Sequence, residues 1–515
     1  MIRKAKLSLF LFLFAATQPA IAATLSVPQD HPSIQAAIDA SAPGDIIFVA
    51  PGQYSEQIAL KPGITLRSDG DDSRGTDGLK RAEATVIDGG QKTQGVVMAE
   101  GSTLDGFTVT NVGVYDDAVW KKHFDSHGEE LGDDEGSVQA EGTSPAISVQ
   151  GVICSVMNCL VHHNGDVGIG ILGKENTNTE PLITGNTVYR NMGGGIGVAE
   201  GAEPIIWGNT CKENLRAGIG CRKASPIITD NLCFQNIRAG IGCREGSMPI
   251  MRGNKCYQNR RAGIGIRTTD SAPIVEGNEC YENEMAGIGC RDGASPILRN
   301  NICRKNKMAG IGCNGAFPLI VSNVCQENEQ AGIGLQGQAT AVIHGNKCQD
   351  NSQVAIGITE GSTAIITANN LSRIGGVPPI IAVKDDSTAT IRDNRISGGG
   401  VAAVLVQGTA IASGNTFTGN DGKQGNAIWI WESSSATVSD NTFDGYRSAV
   451  NATEATVIIK GNKISRFQGA AIIVKNSPEP VYIFDNSGVS NDSKARMVDV
   501  QGNAGIIDNN VLKSE

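Results

Sequence analysis

The sequence is poor in aromatic and charged side chains, and after its first residues it lacks a long apolar run. Aromatic residues make up 4% of the 515 residues and charged residues 19%. Beyond the run at residues 7–16, no segment approaches the ~20 apolar residues that a membrane span needs. The net charge of −10 argues against a nucleic-acid partner, because such proteins present basic faces. Glycine is abundant at 65 residues, but it lacks the three-residue period of collagen.

Residues 1–22 have the features of a secretory signal peptide. Basic residues precede the apolar run, and the tripeptide Ala-Ile-Ala at 20–22 is a small-x-small cleavage site. The alternative is a membrane anchor, although the run is short for a span. The sequence therefore predicts an exported protein, secreted, periplasmic or at the cell surface, without a membrane span in the mature domain at 23–515.

The rest of the chain is an internal repeat. Asparagine recurs every 21 to 26 residues from Asn186 to Asn462, and a second asparagine follows five residues later in eight units. Each unit holds three short apolar runs that end in Asn, Gly or Pro, and none is long enough for a helix. Three strands per ~23 residues predict an all-β fold, a single-stranded right-handed parallel β-helix. We expect the asparagines to adopt the left-handed backbone at the bends and to hydrogen-bond between coils.

One short helix is predicted at residues 33–40. Ile34, Ala37 and Ile38 are spaced at i, i+3 and i+4, which gives one apolar face. Asp30 is placed to cap this helix at its N-terminus.

The N-terminal segments carry a family resemblance. They are Ser33-Ile34-Gln35-Ala36-Ala37-Ile38-Asp39, Pro43-Gly44-Asp45, Ala50-Pro51-Gly52-Gln53-Tyr54-Ser55-Glu56 and Lys61-Pro62-Gly63-Ile64-Thr65-Leu66. Together they resemble the start of right-handed β-helix repeat proteins of the pectin lyase-like superfamily, including NosD-like periplasmic proteins. The resemblance implies that the short helix caps the open end of the coil, and that a substrate groove follows one strand and its turns. The catalytic motifs of pectin methylesterases, polygalacturonases and pectate lyases are absent, so the resemblance specifies the fold and not an activity.

Thirteen cysteines recur in step with the repeat. Seven follow the first asparagine by two residues, and four follow the Gly-Ile-Gly run. Other coils hold Val, Ile, Leu or Phe at the same positions, which indicates buried thiols that face inward. The alternative, a thiolate metal site, lacks a Cys-x-x-Cys motif.

The Gly-Ile-Gly run predicts a groove. If Ile219 and Cys221 point inward, Gly218, Gly220 and Arg222 point outward, and the outward glycines form a flat floor. The floor and its two flanking arginine columns comprise Gly220, Gly242, Gly265, Gly289, Gly312 and Gly334; Arg222, Arg244, Arg267 and Arg291; and Arg216, Arg238 and Arg261. Guanidinium groups suit carboxylates and sulfates, so we expect an acidic polysaccharide as partner. The alternative is that these arginines pair with acidic neighbours such as Glu213, Glu245 and Glu282.

Two further candidate sites lie nearby. An insertion loop at about 111–142 interrupts the repeat; it is interpreted as a lid, a passive loop or a Ca²⁺ site. The four candidate metal ligands are Asp116, Asp117, Asp133 and Asp134. In the next coil His162, His163 and Asp166 occupy the turn that later coils fill with arginine, and His beside Asp suits acid–base chemistry.

Three functions remain open from the sequence. The first is an exported protein that holds an acidic polysaccharide and, as an enzyme, acts as a lyase, epimerase or glycoside hydrolase. Its candidate catalytic residues are His162, His163, Arg216 and Arg238, with the other column arginines and Asp166 binding substrate. The second is a non-enzymatic binding or scaffold protein, and the third a NosD-like accessory protein for metal-cofactor maturation. Trp429 and Trp431 share one side of a strand and either stack on sugar rings or pack in the core.

Overall fold

Strands of two to six residues build three parallel sheets along the solenoid. The computed structural model describes residues 22–126, 144–384, 386–422 and 424–514. In these residues the first sheet has 20 strands, the second 19 and the third 18, and each strand pairs with its equivalents one coil before and one coil after. The predicted all-β fold, a right-handed parallel β-helix with a short N-terminal helix, is confirmed.

The central coils carry the site, and each contributes one strand to each sheet. Those of the first sheet are Ser155–Met157, Leu182–Thr184, Ile205–Trp207, Ile227–Thr229, Ile250–Arg252, Ile274–Glu276, Ile297–Arg299, Leu319–Val321 and Thr340–His344. Those of the second are Leu160–His162, Thr187–Tyr189, Thr210–Lys212, Leu232–Phe234, Lys255–Tyr257, Glu279–Tyr281, Ile302–Arg304, Val324–Gln326 and Lys347–Gln349. Those of the third are Ile147–Gln150, Ile169–Leu172, Ile196–Ala199, Ile219–Arg222, Ile241–Arg244, Ile264–Arg267, Ile288–Arg291, Ile311–Asn314, Ala331–Gln336 and Val354–Ile358.

Two buried asparagine ladders join the coils, as predicted. Each ladder amide donates to the side-chain oxygen of the asparagine one coil further on, for example Asn209 to Asn231 at 3.0 Å. The first ladder runs to Asn510, and the second begins at Asn164.

The expected left-handed backbone at the ladder asparagines is wrong. The residue before the ladder asparagine adopts it instead, as at Gly208 (φ 65°) and Asp230 (φ 54°). The physical reason is that the asparagine side chain must point into the core to bond its neighbours, so the turn in the backbone falls on the residue outside it.

Three short helices accompany the strands: α1 at Ile34–Ala40, α2 at Lys80–Ala84 and α3 at Asp117–Asp125. α1 buries the predicted apolar face of Ile34, Ala37 and Ile38. Its cap is Ser33, whose hydroxyl accepts from the amide of Ala36 at 3.1 Å. Asp30, the expected cap, instead accepts from the amide of Ser26 at 2.8 Å.

The cysteines lie inside the solenoid. All thirteen are free thiols and buried, and in the second sheet they stack in register, for example Cys256 on Cys280. The prediction of inward-facing thiols is confirmed. Burial raises the pKa of Cys243 to about 12, so the thiolate that would bind a metal or react is suppressed.

The predicted signal peptide and the predicted absence of a membrane span can be compared with the described residues only. Residues 1–21, which include nearly all of the predicted signal peptide, lie outside the described residues. Across the described ranges, no helix has the length and apolar character to cross a membrane.

Candidate functional site

Glycines stacked in register form a strip without side chains on the outer face of the third sheet. This glycine floor comprises Gly170, Gly197, Gly220, Gly242, Gly265, Gly289, Gly312, Gly334 and Gly357. Nine positions span eight coil steps, or ~38 Å at ~4.8 Å per step. A Cβ placed on Gly220 would meet no atom within 4 Å, so the floor is open above the strand and would admit a flat ligand.

Gly218 does not face outward, contrary to the sequence expectation. A Cβ at this position would lie 2.8 Å from the carbonyl oxygen of Gly240 and 2.9 Å from the amide nitrogen of Asn236. The strand begins only at Ile219, and the alternation of inward and outward residues does not extend into the bend before it. Glycine is needed there because the asparagine ladder passes directly beside the backbone.

The glycine floor is covered at one end and is replaced by residues with side chains at the other. At Gly170 a Cβ would lie 2.3 Å from the Cγ of Pro145, which therefore covers this end. At the other end the same register position is filled in turn by Ala382, Leu405 and Trp429. The open floor between these residues is finite.

Two arginine columns border the floor over the central coils. The strand column is Arg222, Arg244, Arg267 and Arg291, at the C-terminal ends of third-sheet strands. The turn column is Arg216, Arg238 and Arg261, in the bends that precede those strands. Backbone hydrogen bonds connect this column, from Arg238 to the carbonyl of Arg216 at 3.4 Å. Both columns lie where the sequence predicts them.

The turn column concentrates positive charge. The guanidinium of Arg238 is half-buried, and its pKa is lowered to about 10. Burial is the largest cause, and the positive charges of Arg261 and Arg216 add to it, followed by those of Arg267 and Arg244. Five arginines therefore act on one another through space, and an anion in the groove would relieve that repulsion.

The alternative, that the arginines pair with acidic neighbours, holds for part of the strand column. Arg222 pairs with Glu200 at 3.1 Å and Arg244 with Glu245 at 3.5 Å, and Arg291 is 3.3 Å from Asp292. Further polar or electrostatic contacts within the protein involve Arg216, Arg238, Arg244, Arg261 and Arg267. The charge is thus partly compensated and held in place by the fold.

Two of the expected acidic partners pair elsewhere. Glu213 accepts from Arg190, outside both columns, at 2.7 Å. Glu282 accepts from the side-chain amide of Gln258 at 3.0 Å. The third expected partner, Glu245, does pair with a column arginine, Arg244.

The two histidines form a close pair at the end of a second-sheet strand. Their Nδ1 atoms are 2.7 Å apart, and Tyr189 packs on the ring of His162 with 4.6 Å between ring centroids. Burial, followed by the nearby charge of His163, lowers the pKa of His162 to about 4. Burial also lowers the pKa of His163. Both rings are therefore neutral near pH 7, the form that can accept a proton.

Asp166 occupies the turn column one coil before Gly193 and two before Arg216. Its side chain is buried, and its Oδ1 accepts from the amide of Val167 at 2.6 Å. Asp166 and the turn-column arginines therefore share one edge of the groove. The expectation that both histidines occupy the turn later filled by the arginine column is wrong, because His162 ends the preceding strand in register with Tyr189 and Lys212 and His163 follows it directly. Of the three residues only Asp166 stands in the turn column.

The insertion carries α3, which the sequence analysis did not predict. Asp116 caps it by accepting from the amides of Ala118 and Val119. Trp120 is buried against Met192, Leu215 and Ile237. The signal for this helix was the spacing of Trp120 and Phe124 behind an N-cap aspartate.

The candidate metal ligands are only partly in view. Asp116 is engaged as the cap of α3, and Asp117 accepts from the hydroxyl of Tyr115 at 3.0 Å. Asp133 and Asp134 lie outside the described residues. Within the described part of the chain, no group of three His, Cys, Asp or Glu side chains could hold a metal ion.

The turn column changes character along its length, as the repeat in the sequence indicates. After Arg261 the column continues as Met285 and Met308, which are 40% and 37% exposed. The repeat period contained this signal, because both methionines stand in the arginine register.

Trp429 and Trp431 face outward on the third sheet, with Trp431 37% exposed.

A family model agrees with this architecture. The model described as right handed beta helix region matches residues 94–271, 170–323 and 318–443, together more than half of the chain. The chain belongs to the right-handed β-helix family. No curated protein matches the sequence of this β-helix protein.

Solved structures with a similar fold are distant in sequence. The catalytic unit of the GH87 α-1,3-glucanase from Streptomyces thermodiastaticus strain HF3-3 is 14% identical with a TM-score of 0.44, over 72% of this chain and 66% of that one. The periplasmic alginate epimerase AlgG is 13% identical with a TM-score of 0.45, over 65% and 80%. The Azotobacter vinelandii mannuronan C-5 epimerase AlgE6 A-module is 13% identical with a TM-score of 0.35, over 94% of each chain. At these identities the similarity concerns the fold alone.

Proposed function

We propose that this β-helix protein is exported and binds an acidic polysaccharide along the glycine floor. The observation that carries the proposal is the set of seven arginines in two columns that border a floor without side chains. Within each column, successive arginines are separated by one coil repeat, ~4.8 Å. Successive charged groups of an extended polymer would therefore meet arginines on successive coils. A planar guanidinium binds a carboxylate or sulfate with two parallel hydrogen bonds.

Charge at the turn column favours a polyanion over a neutral polymer. Arg238 holds its proton less tightly than an ordinary arginine, first because its guanidinium is half-buried and then because other arginines surround it. A bound carboxylate would stabilise the protonated form and lower the repulsion within the column. Binding is therefore expected to weaken with salt, since the screening length falls to ~10 Å at 0.1 M ionic strength.

The proposal includes a lyase or epimerase reaction, with His162, His163, Arg216 and Arg238 as the candidate groups. One of them would take the proton α to a uronate carboxylate, whose developing negative charge neighbouring arginines would stabilise. In β-elimination the electron pair of the broken C–H bond forms a C=C bond, the glycosidic C–O bond breaks, and the leaving oxygen is protonated. In epimerisation a proton returns to the opposite face of the same carbon.

The experiment incubates the full chain with alginate, pectate and a sulfated glycan. It follows ultraviolet absorbance from new unsaturated ends, together with retention of each polymer by the immobilised protein. Rising absorbance identifies a lyase. Retention without absorbance leaves binding, epimerisation or hydrolysis, which sugar analysis of the recovered polymer separates. Absence of both signals on all three glycans would refute the proposal and favour a structural or accessory role.

A matched pair of variants tests the site. Arg238→Met places in the turn column the residue that Met285 and Met308 already supply, so the fold should tolerate it. Arg252→Met removes an exposed arginine from the first sheet instead, where it contacts Glu276 at 3.0 Å. We expect the first variant to elute from pectate at lower salt than the wild type and the second to elute unchanged.

A further inference from the structure

Beyond the arginine columns the strand column continues with the polar residues Asn314 and Gln336, but the floor register ends on apolar side chains. In the floor register Gly357 is followed by Ala382, Leu405 and Trp429. Trp431 directly follows the same strand, Asn426–Ile430, and extends the row of side chains that begins with the strand column. The outer face of the third sheet thus passes from glycine between arginines to a raised aromatic end.

The turn side of the groove changes in the same direction. Met285 and Met308 replace arginine, and the loop before Ile381–Val383 exposes Ile374 to 90% and Val377 to 69%. Val401 is 40% exposed in the turn of the next coil. Gln330 and Gln353 follow Met308 in the turn register, so these apolar groups form two separate patches, and the second patch lies in the coils directly before the tryptophans. Exposed apolar groups at the edge of a groove mark a binding surface more often than a random surface does.

The two indole rings form a stacked pair. Their centroids are 4.8 Å apart and their planes differ by 16°. The indole N–H of Trp431 donates to the carboxylate of Glu432 at 3.3 Å. The pair therefore offers a large ring surface next to a negative charge, which disfavours an anionic group and favours an uncharged ring.

We propose that Trp429 and Trp431 form a stacking subsite for an uncharged sugar ring at the far end of the groove. This inference rests on the proposed function, and it specifies the ligand as a glycan that is anionic over the arginine coils and uncharged over the tryptophan end. The apolar C–H face of a pyranose ring packs against an aromatic face, and the sugar hydroxyls at its edge stay in water.

The distance between the two parts sets a minimum ligand length. Six coil steps separate the strand Ile288–Arg291 from the strand Asn426–Ile430. At ~4.8 Å per step this is ~29 Å along the axis. Short oligomers can occupy one part only, and a chain that spans both gains from simultaneous contact.

The experiment compares two probes on immobilised full-length protein: pectate, which is charged at every uronate, and pectin with blocks of uncharged methyl-esterified uronates. Trp431→Ala removes an exposed ring, and Trp429→Leu repeats the residue that Leu405 supplies one coil earlier. Trp207→Ala, on the first sheet and 51% exposed, is the control. We expect either groove variant to lose about tenfold in affinity for block-esterified pectin, the upper value for one aromatic contact, and to bind pectate within about twofold of wild type.

The outcomes separate this inference from the function on which it rests. Wild-type binding of both probes with unchanged affinities in both tryptophan variants overturns the stacking subsite and leaves the arginine groove intact. Equal losses on the two probes also overturn it, because the rings would then act on the fold or on all polymers alike. Absence of wild-type binding to either probe refutes the groove and the subsite together. Thermal midpoints within a degree or two of wild type confirm that the variants are folded.

Discussion

The side-chain amide of Asn259 donates to the side-chain oxygen of Asn283, one coil further along the solenoid, at 3.0 Å. The backbone amide of Asn259 donates to the same oxygen at 3.1 Å. Asn283 in turn donates to the carbonyl of Cys256 at 3.0 Å and to Asn306 at 2.9 Å. One buried side chain thus satisfies backbone and side-chain groups of several coils.

Asn283→Ala should therefore destabilise the protein strongly. The substitution leaves both donors of Asn259 and the carbonyl of Cys256 without this partner, and each unsatisfied buried group costs about 1–3 kcal/mol. We expect a lower urea midpoint by circular dichroism. Gln258→Ala, at an exposed position beside the ladder, is the control and should leave the midpoint unchanged. Similar midpoints for the two variants would contradict a stabilising role of the ladder.

The repeat made the fold predictable, because each structural role occupies a fixed place in the period. A column that accepts Cys, Val, Ile, Leu or Phe can only be buried, and an asparagine column at each bend brings identical side chains within hydrogen-bonding distance of one another in successive coils. The same logic placed Arg222 and Arg216 on opposite sides of the floor. Each of these inferences is made for a single coil, and the repeat then applies it to the other coils.

Features that break the period were missed for the same reason. α3 occurs once, and Trp120 finds its partners Met192 and Leu215 through tertiary packing that no period encodes. Gly218 shows a different limit, since strand alternation applies only inside a strand and this residue lies in a bend. The pairing of His162 with His163 also depends on a single coil.

The cysteine columns should be chemically silent in the folded protein. All thirteen thiols are buried, so a reagent in solution cannot reach them. Burial also raises the pKa of Cys243 to about 12 and that of Cys221 well above its usual value, and the thiolate is the reactive form. Hydrogen bonds from Cys211 and Cys256 lower the pKa of Cys233, but this thiol is shielded inside the solenoid like the others. We expect a thiol reagent such as dithionitrobenzoate to titrate none of the cysteines in native protein at pH 7.5 and all thirteen in denaturant. Rapid native reaction, or a metal retained through purification and released by denaturation, would favour the accessory role in metal-cofactor maturation.

The histidine pair should make the protein sensitive to mild acid. The folded pKa of His162 is about 4, below the ~6.5 of an unfolded histidine. Between these values the unfolded chain binds more protons, so stability is full above pH ~6.5 and falls as the pH decreases towards 4, by up to ~1.4 kcal/mol per pH unit. His162→Gln should reduce the difference between urea midpoints at pH 7.5 and 5. His344→Gln, at an exposed histidine, should keep the wild-type difference, and an equal reduction in both variants would contradict the assignment.

Gly218 and Gly220 lie two residues apart and should respond in opposite ways to substitution. Gly218→Ala would place its Cβ 2.8 Å from the carbonyl oxygen of Gly240, a backbone atom that cannot move without disturbing the ladder, so the thermal midpoint should fall. The Cβ of Gly220→Leu would meet no atom within 4 Å and points away from the strand on its outer face. The substitution also removes the entropic cost of glycine in a strand, about 0.5–1 kcal/mol, so its midpoint should match or exceed the wild type.

Gly220→Leu is expected to weaken polymer binding although it does not lower the stability of the protein. Leucine at residue 220 fills the floor between Arg216 and Arg222, so a polymer can no longer lie flat across that coil. We expect Gly220→Leu to retain pectate several-fold less well than wild type in salt-gradient elution, although it is folded and as stable. Gly208 lies outside the groove, but its φ of 65° makes Gly208→Leu unsuitable as a control. Thr229→Leu on the first sheet is the control instead. Full retention of pectate by Gly220→Leu would show that the ligand does not contact the floor, and the groove would then have to lie elsewhere on the solenoid.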